Sequence, residues 1–416
     1  MGRARGPLAV ISSNYWPEPT GVSRTVTEFT EFLTRRNLDV RVATAMPYYP
    51  QWDIYRGYRR SLYRSERRNG ATIFRAWHWV RPAPSALGRV LQELTLCLVG
   101  LPMMVRALWG ARLAYVVVPA LGYAFVGAFL ARGLRIPVIL VVKDVMPEAA
   151  VVTGLLRNRA VIAVSRWLAR WLYAVSSEIQ TLGEGMARRI VAAGGARAKV
   201  RVVPDTIDRR ELAPVPPERN EFRRRFVPPG AFAVVHTGNM GRKQDLDLLL
   251  RTADRLRSEP DIQFLVFGDG AVRSEFLRRR AQLHLENVSH HPLQERSLLS
   301  HVLSGADVVL VSQLAEVVDI VVPSKLVTAM GAGAMIVAAC AGESETAKLI
   351  RGSDGGVLVG AGDDASLARA ILSIREGKVD TMAYRTRARA YALARFDRDV
   401  VYGPLAAEVV RRLAAA

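Results

Sequence analysis

Cysteine is scarce in this chain of 416 residues, which contains only Cys97 and Cys340, both in apolar surroundings. Two such residues provide neither a disulfide framework nor a zinc site, and this scarcity is typical of a reducing compartment. The N-terminus is basic, but the apolar run behind it is too short for a secretory signal and is better interpreted as a first strand. We therefore expect a cytoplasmic protein.

Acidic residues are outnumbered, because 38 aspartates and glutamates stand against 58 lysines and arginines, which gives a net charge of +20. This excess favours a polyanionic partner, such as nucleic acid, an anionic membrane surface or a phosphorylated substrate. A general bias towards arginine along the chain would produce the same balance. The chain has no zinc-finger spacing and no compact aromatic-basic RNA motif, so we expect no nucleic-acid partner.

Long uncharged apolar runs are also missing. The stretch 87–110 comes nearest, but two arginines and a glutamate interrupt it and Pro102 divides it. A membrane-spanning helix needs about 20 largely uncharged residues, so we do not predict one. We interpret 87–110 as a core helix, with a helix lying on the membrane surface as the alternative. The segment 157–173 combines tryptophans with arginines and leaves the same two interpretations open.

Strand-like and helix-like segments alternate in both halves of the chain. Apolar strands are predicted at 8–12, 38–44, 114–120 and 137–144, and again at 233–238, 262–270, 306–312 and 334–340. This pattern predicts an α/β fold of two doubly wound, Rossmann-like domains facing a cleft, with ligands beyond the carboxyl ends of the strands. The predicted parts are a first domain (1–205), a proline-rich linker (206–230), a second domain (231–395) and a C-terminal helix (396–416) that packs back on the first domain.

Glycines and cations follow several of these strands. HTGNMGRKQD (236–245) places Arg242 and Lys243 beside two glycines, a combination that suits a diphosphate, although a solvated basic loop is the alternative. Gly21 precedes the first helix, where backbone N–H groups can approach an anion, but a plain turn would look the same. FGDG (267–270) is a further turn at a strand end, where its backbone can face a nucleotide base.

The segment VDIVVPSKLVTAMGAG (318–333) is almost entirely apolar, yet it contains three polar groups. Pro323 suits the first turn of a helix, which puts Ser324 and Lys325 at the helix N-terminus. Unpaired N–H groups and the helix dipole favour an anion there, so a phosphate would explain the lysine. The alternative is that Lys325 extends into solvent.

Six short motifs follow one another along the chain: Tyr15–Gly21, Pro47–Trp52, Asp144–Glu148, Gly238–Gln244, Gly268–Gly270 and Val321–Leu326. In this order they resemble family 4 of the glycosyltransferases, the large retaining group with the GT-B fold. The likeness spans roughly residues 8–375 and is strongest to the branch of the colanic acid and fucosaminyl transferases. It implies that the first domain binds the acceptor and the second binds the nucleotide-sugar donor.

The resemblance also implies the site residues. Cations would stabilise the departing diphosphate, so no metal ion or other cofactor is expected. The expected catalytic residues are Glu18, Asp144, Lys243 and Lys325. The expected donor-binding residues are Gly21, Gly238, Asn239, Arg242, Lys243, Gly268, Asp269, Gly270, Asp319, Pro323, Ser324, Lys325, Leu326 and Glu345.

The implied reaction is the retaining transfer of a sugar, from UDP before other nucleotides, to a polyprenyl-linked or saccharide acceptor in cell-surface polysaccharide synthesis. The inner face of the cytoplasmic membrane is then an expected partner surface.

The chain departs from the family pattern at several positions. Thr328 stands where a ribose-binding glutamate is common, Lys143 stands where a histidine is common, and Asp245 replaces a glycine. These departures leave open a non-catalytic GT-B subunit of a polysaccharide-assembly complex. A third alternative, an NAD-dependent enzyme, is disfavoured because no G-x-G-x-x-G follows the first strand.

Overall fold

The computed structural model describes residues 6–19, 21–82, 85–148, 151, 158–317 and 324–415. The chain divides into two compact units. The first comprises Met1–Pro204 with Val401–Ala416, and the second comprises Asp205–Val400.

The first unit is built on an eight-stranded sheet in the order β3-β4-β2-β1-β5-β6-β7-β8. All described pairings are parallel except that of β3 with β4. The central strands are runs of apolar residues because helices cover both faces of the sheet. The strands are β1 Leu8–Ile11, β2 Val40–Ala45, β3 Tyr63–Arg68, β4 Ala71–Ala76, β5 Leu113–Val118, β6 Val138–Val142, β7 Glu178–Thr181 and β8 Val200–Val202.

Two helix layers sandwich this sheet. Tyr402 of the last helix packs on Phe29 of the first helix (ring centroids 5.1 Å apart), and Phe29 packs on Tyr115 of β5 (5.2 Å). On the opposite face Gly127 lies so close to Ile11 of β1 that a Cβ would come within 2.7 Å of its side chain. The helices are α1 Val22–Thr34, α2 Ala86–Leu108, α3 Leu121–Gly133, α4 Arg159–Val175, α5 Glu184–Ala192 and α14 Arg398–Ala415.

The second unit has a six-stranded, fully parallel sheet in the order β11-β10-β9-β12-β13-β14. Its strands are β9 Phe232–Thr237, β10 Ile262–Phe267, β11 Val288–His291, β12 Val308–Ser312, β13 Ile336–Cys340 and β14 Val357–Gly360. Its helices are α6 Glu221–Phe226, α7 Leu246–Arg255, α8 Arg273–Gln282, α9 Arg296–Gly305, α10 Ser324–Gly331, α11 Glu345–Ser353, α12 Asp364–Arg375 and α13 Thr381–Phe396. The prediction of two Rossmann-like α/β domains is confirmed.

The stretch 206–230, predicted to be a linker, is a packed part of the second unit. Leu212 and Phe222 are buried in its core, and Asn220 caps α6 by accepting a hydrogen bond from the backbone N–H of Arg223. The prolines and charged residues of this stretch therefore lie on short helical elements that pack against the second unit. These elements were not predicted from the sequence because α6 has only six residues.

The stretch 87–110 was predicted to be a core helix, with a helix lying on the membrane surface as the alternative, and the structure shows a helix, α2, with one buried and one exposed side. Leu96, Met103 and Met104 are buried on its inner side, while Leu94 and Leu98 on the other side are exposed. Within the described residues one helical stretch, Leu87–Leu108, is long and apolar enough to cross a bilayer by length and composition. A core helix passes the same test, and 33% of its apolar window is buried.

Candidate functional site

The loops that follow the strands of the second sheet meet at its carboxyl edge, where ligands of parallel sheets bind. The loop after β9 (238–245) and the loop after β10 (268–272) are joined by backbone hydrogen bonds. Met240 N donates to Asp269 O (2.9 Å), and Val272 N donates to Met240 O (3.1 Å). The structure thus brings the glycine-and-cation motif and the FGDG turn together as one surface.

Two glycines make this close approach of backbones feasible. A Cβ on Gly268 would lie 2.1 Å from the carbonyl oxygen of Gly238, and one on Gly270 would lie 2.6 Å from that of Met240. Gly270 also has φ of 153°, and Gly238 has φ of 115°, in the region that favours glycine. The close packing of the two loops therefore requires the glycines of the FGDG motif, whether or not the motif also makes its predicted contact with a nucleotide.

Lys325 lies one residue inside the N-terminus of α10 and points to the loop after β9. Its Nζ donates to Gln244 Oε1 at 2.9 Å and lies 3.4 Å from Nε2 of His236, which is fully buried in β9. Burial lowers the pKa of Lys325 to about 7. Burial, and then the charge of Lys325, lower the pKa of His236. In the described part of the chain, neutral side chains thus hold this ammonium.

The other two cations predicted to bind the donor, Arg242 and Lys243, lie on the loop after β9. Arg242 is exposed, and Lys243 is partly buried with its carbonyl accepting a hydrogen bond from Leu314 N, beyond the end of β12 (3.2 Å). Asp245, a departure from the family pattern, caps α7 by accepting a hydrogen bond from Leu248 N (3.0 Å). A capping aspartate fixes the end of the loop, so the substitution is locally favourable.

Other predicted donor-binding residues lie at the N-termini of α10 and α11. Glu345 begins α11 at the edge of the sheet and forms an ion pair with Lys348 (3.1 Å). Ser324 begins α10 and is exposed, while Leu326 is fully buried in the core. Thr328 donates to the carbonyl of Ser324 (2.7 Å), so its hydroxyl has a partner within the helix. The predicted residues Asp319 and Pro323 lie outside the described residues.

In the first unit, Glu18 joins two loops at the carboxyl edge of the sheet. Its Oε1 accepts hydrogen bonds from the backbone N–H groups of Tyr48 (2.9 Å) and Tyr49 (3.0 Å), and its Oε2 accepts one from Asn14 Nδ2 (2.9 Å). The side chain is only 4% exposed, and burial raises its pKa. These bonds give Glu18 a positioning task, which its predicted catalytic role did not include.

Asp144 and Gly21 flank the same edge. Burial raises the pKa of Tyr49, with smaller contributions from the charges of Glu18 and Asp144, which places Asp144 within electrostatic range of this tyrosine. Gly21 precedes α1 with φ of 66°, and a Cβ there would meet nothing within 4 Å. Its conformation, more than its lack of volume, explains the glycine. Cis peptide bonds precede Pro17, Pro50 and Pro147 in the surrounding loops.

Several residues of these sites had no role predicted from the sequence. Gln244 and His236 contact Lys325, and both stand inside the segment 236–245 that was predicted to bind a diphosphate. Trp52 adopts φ of 55° and lies under the guanidinium of Arg89, 4.7 Å from the ring centroid. Arg75 is fully buried and donates to Ala45 O (3.2 Å), to Glu66 and to the carbonyl of Trp16, and no sequence signal pointed to it.

Both halves of the chain match known glycosyltransferase families. Residues 20–206 match the model described as a glycosyl transferase 4-like domain, and residues 231–376 match the model of the glycosyl transferases group 1. An Escherichia coli K12 protein, WcaI, whose name assigns it to colanic acid biosynthesis as a glycosyl transferase, is 30% identical over 343 residues. The aligned part covers 80% of this chain and 83% of WcaI. The chain belongs to glycosyltransferase family 4.

Solved structures of other proteins share the fold of this glycosyltransferase. Anabaena HepE, crystallised with UDP and glucose, superposes with a TM-score of 0.73 at 16% identity, over 98% of this chain and 100% of that one. Sucrose-phosphate synthase from Thermosynechococcus elongatus gives 0.74 at 16% identity, over 99% and 100%. At such identities the likeness supports the fold alone, which is the predicted GT-B fold.

Proposed function

We propose that this glycosyltransferase moves a sugar, with retention of anomeric configuration, from UDP to a polyprenyl-linked or saccharide acceptor during cell-surface polysaccharide synthesis in the cytoplasm. The observation that carries the donor site is the Lys325–Gln244 contact, which fixes an ammonium against the glycine-rich loop at a strand edge. The named role of WcaI supports the pathway class, and the UDP bound to HepE supports the nucleotide.

In this proposal the second unit stabilises the departing diphosphate. Lys325 contacts its phosphates at the N-terminus of α10, where backbone N–H groups add positive potential. Arg242 and Lys243 neutralise the charge that develops on the leaving group, and Glu345 lies near the sugar. Because these cations perform the electrostatic task, we propose that no metal ion is required. Activity that survives EDTA would support this, and activity restored only by a divalent cation would contradict it.

The first unit presents the acceptor. Retention without an enzymic nucleophile is consistent with attack of the acceptor hydroxyl on the same face from which the diphosphate leaves, with a donor phosphate oxygen accepting the proton. This differs from the two-carboxylate arrangement of retaining glycosidases. Glu18 then acts by holding the loops that contain Asn14 and Tyr49, and Asp144 lies beside them.

A donor panel tests the proposal. Purified protein is incubated with UDP-, GDP- and dTDP-sugars and a lipid extract, and nucleotide release and product anomericity are measured. We expect release from a UDP-sugar, and a 10- to 100-fold loss of UDP affinity in Lys325→Ala, about 1.5–3 kcal/mol for a charge-assisted contact. Lys378→Ala, an exposed lysine of the same unit, is the matched control. Absence of nucleotide binding across the panel would reject the proposal.

A non-catalytic subunit is the second candidate function. It is favoured by Thr328, whose hydroxyl donates within its own helix where the family often has a ribose-binding glutamate. UDP binding without turnover, in the presence of active lipid extract, would support this candidate. Turnover by wild type that is lost in Lys325→Ala would exclude it.

A further inference from the structure

We propose that the outer face of helices α2, α3 and α4 docks on an anionic lipid bilayer. This face is exceptional because its helices bury apolar side chains on the sheet and expose others to solvent. On α2 the exposed side chains Leu87, Leu91, Leu94, Leu98 and Leu101 recur at spacings of four and three residues, and so form one stripe. Leu98 is 75% exposed and Leu87 is 69% exposed. A contiguous exposed apolar patch of this kind typically marks an interaction surface.

The stripe continues onto the neighbouring helices, which pack side by side. Phe125 of α3 lies 4.6 Å from Trp171 and 5.8 Å from Trp167 of α4, measured between ring centroids. Phe129 and Trp167 are 60% and 57% exposed, and Trp109 beyond the end of α2 is 73% exposed. Exposed aromatic side chains at the border of an apolar surface are typical of the membrane–water interface.

The charges on these helices select the kind of partner. The three helices carry a single acid, Glu93, whose carboxylate is turned inward and accepts hydrogen bonds from the backbone N–H groups of Gly122 and Tyr123. The basic side chains are all exposed: Arg89, Arg106, Arg132, Arg159, Arg166 and Arg170. An apolar stripe flanked by arginines suits lipid acyl chains beneath phosphate headgroups.

A second copy of the chain fits this face less well than a bilayer does. A symmetric dimer would place the same patch against itself and bring both sets of six arginines together. The resulting like-charge repulsion would oppose the burial of the leucines. A bilayer with anionic lipids satisfies both the leucines and the arginines, so it is the occupant that we assign. The assignment does not depend on the sugar transferred.

Vesicle flotation tests the assignment with the full-length protein. The vesicles are phosphatidylcholine alone, or phosphatidylcholine with about 30% phosphatidylglycerol. We expect wild type to float with the anionic vesicles at low salt and to be released as salt rises. The double variant Leu94→Glu/Leu98→Glu should lose at least about tenfold in partitioning. Arg159→Gln/Arg170→Gln should lose the preference for anionic vesicles.

A matched control distinguishes docking through this face from a general effect of removing exposed apolar side chains. Leu293→Glu/Met382→Glu changes two exposed apolar side chains of the second unit, 47% and 70% exposed, and should float like wild type. Unchanged thermal unfolding of the α2 double variant shows that lost flotation reflects lost docking. Wild type that stays in the aqueous fraction, or an α2 variant that floats normally, would overturn the proposal. A lipid-free dimer that the α2 variant dissociates would overturn it too, by placing a second copy on the face.

Discussion

The neighbours of Lys325 in the structure explain more about this residue than its position in the sequence does. The sequence predicted a cation at a helix N-terminus, and the structure supplies its neighbours, Gln244 Oε1 at 2.9 Å and His236 Nε2 at 3.4 Å. Both come from residues more than 80 positions away in the sequence, so no local pattern predicts their contact with the lysine. An ammonium held by neutral groups is poised to titrate near neutral pH, and an anionic ligand would restore its proton.

We predict that UDP affinity falls as pH rises from 7.5 to 9. The pKa of Lys325 is about 7 in the unliganded site, so binding of a diphosphate above that pH must take up a proton. The expected loss is about tenfold, with proton uptake detected by calorimetry in buffers of different ionisation enthalpy. Lys325→Met should abolish both the uptake and this pH dependence, whereas Lys378→Met should retain them. Equal affinity of wild type at both pH values would contradict the prediction.

The lowered pKa of Lys325 also makes the free energy of unfolding depend on pH. An unfolded lysine titrates near pH 10.4, whereas folded Lys325 titrates near 7. Between these values the unfolded chain binds the additional proton, so this residue makes the free energy of unfolding rise with pH across that window. Below pH 7 both states are protonated and the full cost of the buried charge remains. The lysine therefore disfavours folding at neutral pH, a cost consistent with a role in ligand binding.

Secondary-structure elements with strong apolar patterns were predicted well. The predicted strands at 8–12, 38–44 and 114–120 correspond to β1, β2 and β5 within two residues. Strand β3 was not predicted because its sequence, YRSERR, is polar, with one face exposed and the other only partly buried at the edge of the sheet. The sequence does contain a hairpin signal between β3 and β4, the dipeptide Asn69–Gly70. Both residues have positive φ in the structure, as such a turn requires.

The glycine-rich loops lie at the strand ends where the sequence predicted them, and the structure adds a packing requirement that the sequence did not predict. We predict that Gly268→Ala separates the loops after β9 and β10, because its Cβ would lie 2.1 Å from the backbone oxygen of Gly238. A backbone atom cannot move aside as a flexible side chain can, so the expected cost is about 1–3 kcal/mol of stability, with weaker UDP binding. Thermal unfolding and UDP titration measure these effects.

Gly403→Ala is the control for that variant. Gly403 lies within α14, and a Cβ there would meet nothing within 4 Å, so the substitution should be neutral or slightly stabilising. If Gly268→Ala and Gly403→Ala had the same unfolding temperature and UDP affinity, the two loops would not require the close backbone approach seen in the structure.

On the scale of the whole molecule, the sequence predicted both the alternation of two α/β halves and the return of the C-terminal helix to the first of them. Alternation is a local pattern, whereas the return of the C-terminal helix to the first unit depends on contacts across almost 400 residues. The terminal segment was expected to pack there, and residues from Val401 onward do belong to the first unit. Tyr402 packs on Phe29 and Phe32, with ring centroids 5.1 and 5.4 Å apart.

This sharing of segments predicts that a change in α14 destabilises the first unit. Leu405 is 2% exposed and lies in the same core cluster as Leu8 and Tyr115, so Leu405→Ala should cost about 2–5 kcal/mol. Hydrogen exchange should accelerate in β1 and β5 and remain unchanged in β9 and β13. Val410→Ala, at a position on the same helix that is 41% exposed, should leave both units unaffected. Faster exchange confined to the second sheet would mean that α14 supports the other unit instead.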